Sequence, residues 1–196
     1  NSVHMRYLLC YYRGENRFPS RVFGGAAKSI NDLKGCSIDT FAYLHFHRLA
    51  VSNLNEYNQW ELTDADDKDL TELELYYKHV SGGLMLNALD LVPDGPRMDE
   101  LYSEFKNAGL KRARHLYSLK KNGVIKAIIM INISNIGLNL SDLTNNIKVI
   151  ILEPDELPYQ VLVLVLSIIG EKFKENTMTV LLYPPNYPEK QNIPHE

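Results

Sequence analysis

Apolar residues along this chain recur with two periods. Alternation, or a short unbroken apolar run, predicts strands at residues 6–12 (RYLLCYY), 40–47 (TFAYLHFH), 59–63 (QWELT), 115–120, 124–133, 148–152 (KVIIL) and 177–183 (TMTVLLY). Helical spacing predicts a short helix at 20–30, weakened by Gly24-Gly25. A second helix opens at Asp66 or Asp67 as cap, and Leu70, Leu73, Tyr76, Tyr77 and Val80 form its apolar face. Ser81-Gly82-Gly83 interrupts it, and residues 84–91 (LMLNALDL) read as a short continuation closed by Pro93-Asp94-Gly95-Pro96. A further helix spans 98–108 and stops at Gly109. Lys121-Asn122-Gly123 joins two strands with the strongest short hairpin signal. The helix at 157–174 is apolar nearly all round, so Val161, Leu162, Leu164, Val165, Ile168 and Ile169 are expected to be buried on more than one face.

The order from Gln59 is strand, helix, helix, strand, strand, strand, helix, strand, which predicts an α/β (α+β) chain. Polar residues 51–58 read as a linker and 184–196 as a proline-bearing tail. Residues 1–5 read as a cloning scar, and the chain as an excised part of something longer. Residues 6–52 are too few to fold alone without disulfides or metal. Their apolar side chains Leu8, Cys10, Phe41, Tyr43 and Leu44 are therefore expected to complete the sheet of a main domain at 59–196.

With 196 residues, 45% hydrophobic and 23% charged, the composition is that of a globular chain. A net charge of −3 gives no overall reason to expect nucleic acid or an anionic membrane as partner. The basic stretch 106–114 (KNAGLKRAR) reads as a solvated cluster after a helix end. The longest apolar run, 161–169, is shorter than the ~20 residues of a spanning helix. Cys10 and Cys36 have no metal-ligand spacing, and the six histidines, His45 and His47 included, show no third ligand, so no metal is expected. Reduced thiols and the lack of a signal peptide predict a cytoplasmic chain.

The turn after the strand 148–152 is Glu153-Pro154-Asp155-Glu156. A strand entering a helix in this way is a common anion site, because backbone N–H groups and the helix dipole favour negative charge there. Such a site wants glycine for close approach. Here there are two prolines nearby and three carboxylates, which cap their own helix and repel phosphate.

The element order, Glu61-Leu62-Thr63-Asp64-Ala65-Asp66-Asp67 and Lys121-Asn122-Gly123-Val124-Ile125-Lys126-Ala127 together resemble the GNAT family of N-acetyltransferases over about residues 59–187. The first stretch is similar to the family's R-x-A-T-x-x-D strand-to-helix opening, the second to its hairpin. The resemblance implies a mixed, mostly antiparallel sheet flanked by helices. It implies acetyl-CoA or another acyl-CoA as cofactor, a small amine as acceptor, and transfer of an acyl group between them. The family's pyrophosphate loop, Q/R-x-x-G-x-G/A, is missing between Leu152 and Tyr159. On this reading Leu152, Glu153 and Tyr159 border the cofactor, Glu153 is the base, and Tyr183 and Tyr187 serve the leaving thiolate. The competing reading of Glu153 is a helix-opening acid, and that of the two tyrosines a surface lid beside Pro184-Pro185.

The loop between the strands 124–133 and 148–152 offers Asn139, Ser141 and Asp142 to a substrate, or to its own backbone. A reading from a different class comes from Arg13 and Arg17, spaced R-x-x-x-R, and from Asn132, Ser134 and Gly137, spaced N-x-S-x-x-G. Both patterns are similar to those of PilZ cyclic-dinucleotide receptors, where arginine forks clamp phosphates and guanine edges. The resemblance implies a regulatory or interaction module of a larger bacterial protein.

Overall fold

The computed structural model describes residues 12–30, 35–44, 57, 59–80, 83–89, 91, 103, 105–135, 145–174 and 179–191. The chain divides into two compact units, Asn1–Asp39 with Leu70–Met98, and Thr40–Asp69 with Asp99–Glu196. The fold is α+β, and the second unit carries its sheet.

In the first unit α1 spans Arg17–Ile30. It starts earlier than the two glycines suggest, because Pro19 sits in the first turn, where no N–H is needed, and the Ser20 N–H bonds the Asn16 carbonyl at 3.2 Å. The expected strand at 6–12 lies outside the described residues, apart from Tyr12, whose ring stacks on Phe23 at 5.8 Å. Helix α2 covers Asp67–Val80; its first turn, to Asp69, belongs to the second unit and the rest to the first. Leu73 and Tyr77 are fully buried on it, but Val80, expected on the same face, is 45% exposed in the last turn. Helix α3, Leu84–Ala88, is a separate element. Gly83 precedes it in the left-handed region at φ 77°, which breaks the path from α2.

In the second unit the strands are β1 (Ala42–Leu44), β2 (Trp60–Asp64), β3 (Arg112–Lys121), β4 (Val124–Ser134), β5 (Asn146–Ile151) and β6 (Thr179–Tyr183). They form one sheet in the order β1-β6-β5-β4-β3-β2. Only β5 and β6 run parallel, from Asn146 opposite Thr179 to Ile150 opposite Tyr183. Helix α4, Tyr159–Lys172, makes the crossover between them. The β3–β4 hairpin turns on Asn122 at φ 51° and Gly123 at φ 77°. That pair of left-handed residues is what a two-residue turn matched to strand twist requires. Strand β1, from the predicted 40–47 segment, pairs antiparallel with β6 and covers its outer edge.

The odd-numbered residues of β4 and β5 (Ile129, Ile131, Val149, Ile151) face α4 and join Val161, Leu162, Val165 and Ile169 in one core. Leu164 is also buried, on another face of the helix, whereas Ile168 is only half-buried. Residues Tyr187–Lys190 form a short helix, α5, with Tyr187 and Pro188 buried. The basic stretch is also less bare than its sequence suggests, because it extends β3. The Arg112 guanidinium lies 5.0 Å over the Phe105 ring, and Arg114 Nε donates to Asn132 Oδ1 at 3.2 Å.

The start of α2 is a reciprocal cap. The Asp69 N–H donates to Asp66 Oδ1 at 2.9 Å, and the Asp66 N–H donates to Asp69 Oδ2 at 3.1 Å. Asp69 is buried, and Ser118 Oγ donates to it at 2.6 Å while Lys120 Nζ lies 3.0 Å away. Burial pushes the Asp69 carboxyl up, but the bonds from Ser118, Lys120 and Asp66 outweigh this and hold it below its ordinary value.

Candidate functional site

The parallel ladder between β5 and β6 ends at Ile150 and Tyr183, and past it the Tyr187 hydroxyl and the Lys190 ammonium reach back to Leu157 and Asp155. β5 runs on to Leu152, whose N–H bonds the Lys126 carbonyl of β4 at 2.9 Å. β6 ends at Tyr183, before Pro184, which has no N–H to continue a ladder. The end of the ladder is thus bordered by Leu152 and Glu153 after β5 and by Tyr183 and Pro184 at the end of β6.

The turn at 153–156 does not cap the helix, contrary to expectation. The first residue before α4 is Pro158, with no side-chain cap and no acid in the first turn. The chain needs the extra residues Leu157 and Pro158 to reach the helix, which puts the carboxylates out of capping range. Two of them meet lysines instead. Glu156 Oε2 lies 2.9 Å from Lys126 Nζ, and Asp155 Oδ1 accepts from Lys190 Nζ at 3.2 Å. Lys126 is nearly buried whereas Glu156 is half exposed, so the pair gives the ammonium a partner where water is scarce. The Lys126 hydrogen bond holds the Glu156 carboxyl below its ordinary value. Glu153 is exposed at the end of β5, and Tyr159 is half-buried at the start of α4.

The two tyrosines have different surroundings. Tyr183 is buried, its ring 5.4 Å from Phe41. Tyr187 is fully buried, and its hydroxyl donates to the Leu157 carbonyl at 2.8 Å. Burial pushes the Tyr187 phenol well above its ordinary value, so its proton stays in that bond. Tyr187 pins α5 to the turn before α4, which is an anchoring job.

Asn132 and Ser134 lie on β4, and both are engaged inside the sheet. Asn132 Oδ1 accepts from Arg114, its Nδ2 donates to Asn146 Oδ1 at 3.1 Å, and the Ser134 N–H donates to Asn145 Oδ1 at 2.7 Å. Arg13 and Arg17 are exposed in the other compact unit. Gly137, Asn139, Ser141 and Asp142 lie outside the described residues.

Sequence reasoning missed Lys148. It is fully buried on β5, with Nζ 4.9 Å from the Phe41 ring centroid. A desolvated cation on an aromatic face gains about 2 kcal/mol. Phe41 therefore touches both Lys148 and Tyr183 at the parallel pair. The only sequence signal was a lysine opening an otherwise apolar strand. Sequence reasoning also missed Lys126 and Lys190, whose pairing with the acidic turn is long-range. Among the described residues no group of three His, Cys, Asp or Glu is placed to hold a metal ion, and no helix is long and apolar enough to cross a membrane. Cys36 is a free thiol. Comparisons with family models, known proteins and solved structures gave no match.

Proposed function

We propose that this chain carries a divergent acyltransferase-type domain of the GNAT kind, which takes an acyl-CoA at the end of the parallel β5–β6 pair and passes the acyl group to an amine. The observation that carries this reading is the parallel β5–β6 pair, joined by α4, whose ladder ends at Ile150 and Tyr183. On this reading the thioester arm lies at the end of that ladder, beside Leu152 and Tyr183. In the transfer, the amine nitrogen attacks the thioester carbonyl, a C–N bond forms and the C–S bond breaks. The amine loses a proton and the thiolate gains one. Glu153, exposed at the end of β5, is the base. Tyr183 is the donor to the thiolate, because the Tyr187 proton is held by Leu157. Leu152 and Tyr159 border the cofactor arm.

The acidic turn sets the affinity. No glycine loop cradles the pyrophosphate, and the lysines beside the acidic turn, Lys126 and Lys190, already hold Glu156 and Asp155. Binding rests on the pantetheine and acyl portions and is therefore weak. Thermal unfolding with acetyl-CoA tests this. A ligand at a hundred times its dissociation constant stabilises by about 2.7 kcal/mol. The expected result is a rise in Tm with millimolar acetyl-CoA and none with cyclic dinucleotides. No rise with acetyl-CoA, or a rise with a cyclic dinucleotide alone, would overturn the reading.

A further inference from the structure

The sequence of α1, RFPSRVFGGAAKSI, contains three basic residues and no acidic one, although the chain as a whole is negative. Arg17 and Arg21 are one turn apart on one face, and both are exposed. Phe18, Val22 and Phe23 fall within an arc of about 140° centred on the opposite side. These side chains are 69%, 44% and 39% exposed, and Phe23 stacks one side of its ring on Tyr12. Water is a poor environment for such a face, since each large apolar side chain left exposed forgoes its burial.

We propose that α1 is a lipid-binding helix that lies flat on an anionic membrane surface. Phe18, Val22 and Phe23 enter the boundary between headgroups and acyl chains, and Arg17 and Arg21 stay at headgroup level beside the phosphates. Charge decides the occupant. A second copy of this chain would bring α1 against an equally basic helix, whereas the anionic leaflet meets the arginines with opposite charge. This departs from the expectation of no membrane partner, because net charge averages over the whole chain and does not report one helix. It is independent of the acyltransferase reading.

The test is co-sedimentation of the chain with vesicles of phosphatidylcholine alone and with vesicles in which about a third of the lipid is phosphatidylserine. The chain is expected to pellet with the second and not the first, and to be released as salt shortens the screening length. Arg17→Glu with Arg21→Glu is expected to lower partitioning about ten-fold or more. Phe18→Ser with Val22→Ser is expected to lower it by a similar factor. Both pairs change exposed side chains, so circular dichroism and Tm should stay unchanged. If a variant fails to fold, the salt titration of the unaltered chain still decides. Failure to pellet with phosphatidylserine, or salt-insensitive pelleting with both vesicles, would overturn the proposal. So would a vesicle-free dimer that Phe18→Ser dissociates, which would assign the face to a second copy.

Discussion

Replacing Asp69 with alanine removes one carboxylate that serves three partners. Ser118 Oγ loses an acceptor at 2.6 Å in a fully buried position, the Asp66 N–H loses its cap partner, and Lys120 loses its ion pair at 3.0 Å. A buried donor left unpaired costs about 1–3 kcal/mol. Loss of a helix cap adds about 1 kcal/mol. The Lys120 head is only partly buried and can turn to water, so its share is below about 1 kcal/mol. Asp69→Ala should therefore destabilise the chain by about 3 kcal/mol in urea melts, whereas Asp69→Asn, which keeps an acceptor and the shape, should cost less. Ser118→Ala in the Asp69→Ala background should add little, with a coupling of about 0.5–3 kcal/mol. The pH dependence has a defined sign. The folded carboxyl is held low, so its stabilisation is complete above the unfolded value of about 3.9 and drains away as pH falls through the folded value. The stability gap between the wild type and Asp69→Asn should close over that acid range. A loss below about 1 kcal/mol for Asp69→Ala, or strict additivity with Ser118→Ala, would refute the shared network.

Leu162→Ala and Leu164→Ala, on two buried faces of α4, should each cost about 2–5 kcal/mol in denaturant melts, and less than about 0.5 kcal/mol at Leu164 would mean that its face is not core. Tyr187→Phe leaves the Leu157 carbonyl unpaired and should cost about 1–2 kcal/mol. Because the folded Tyr187 phenol is held high, its contribution should persist below the unfolded value of about 10 and fade as pH rises above it, so an alkaline melt series unaffected by Tyr187→Phe would contradict the anchor. Gly123→Ala meets no atom within 4 Å, so its cost of about 1 kcal/mol should be purely conformational, and a neutral or stabilising substitution would rule out the left-handed turn.

Much of the fold was legible because its signals are local. KVIIL in β5, the Asn122-Gly123 turn and the Asp66 cap all act within a few residues, and each appears close to where its sequence places it. The expected strand at 40–47 enters the sheet as β1, but its partner β6 lies more than a hundred residues away, and no local pattern chooses that edge. The site was less legible for the same reason. Glu153-Pro154-Asp155-Glu156 reads as a set of helix caps until Lys126 and Lys190 arrive from distant segments and claim two of the three carboxylates. Tyr187 reads as part of a proline-bearing tail until Leu157 offers its carbonyl. Lys148 carries no mark of its burial, because the aromatic face that receives it, Phe41, belongs to the N-terminal strand segment.

The most direct test of the acyltransferase reading is a two-dimensional amide NMR titration with acetyl-CoA. The account predicts saturable shifts concentrated at Ile151–Glu153, Tyr159 and Tyr183, where the parallel ladder ends. No shifts at millimolar acetyl-CoA, or shifts confined to residues away from the end of that ladder, would contradict it.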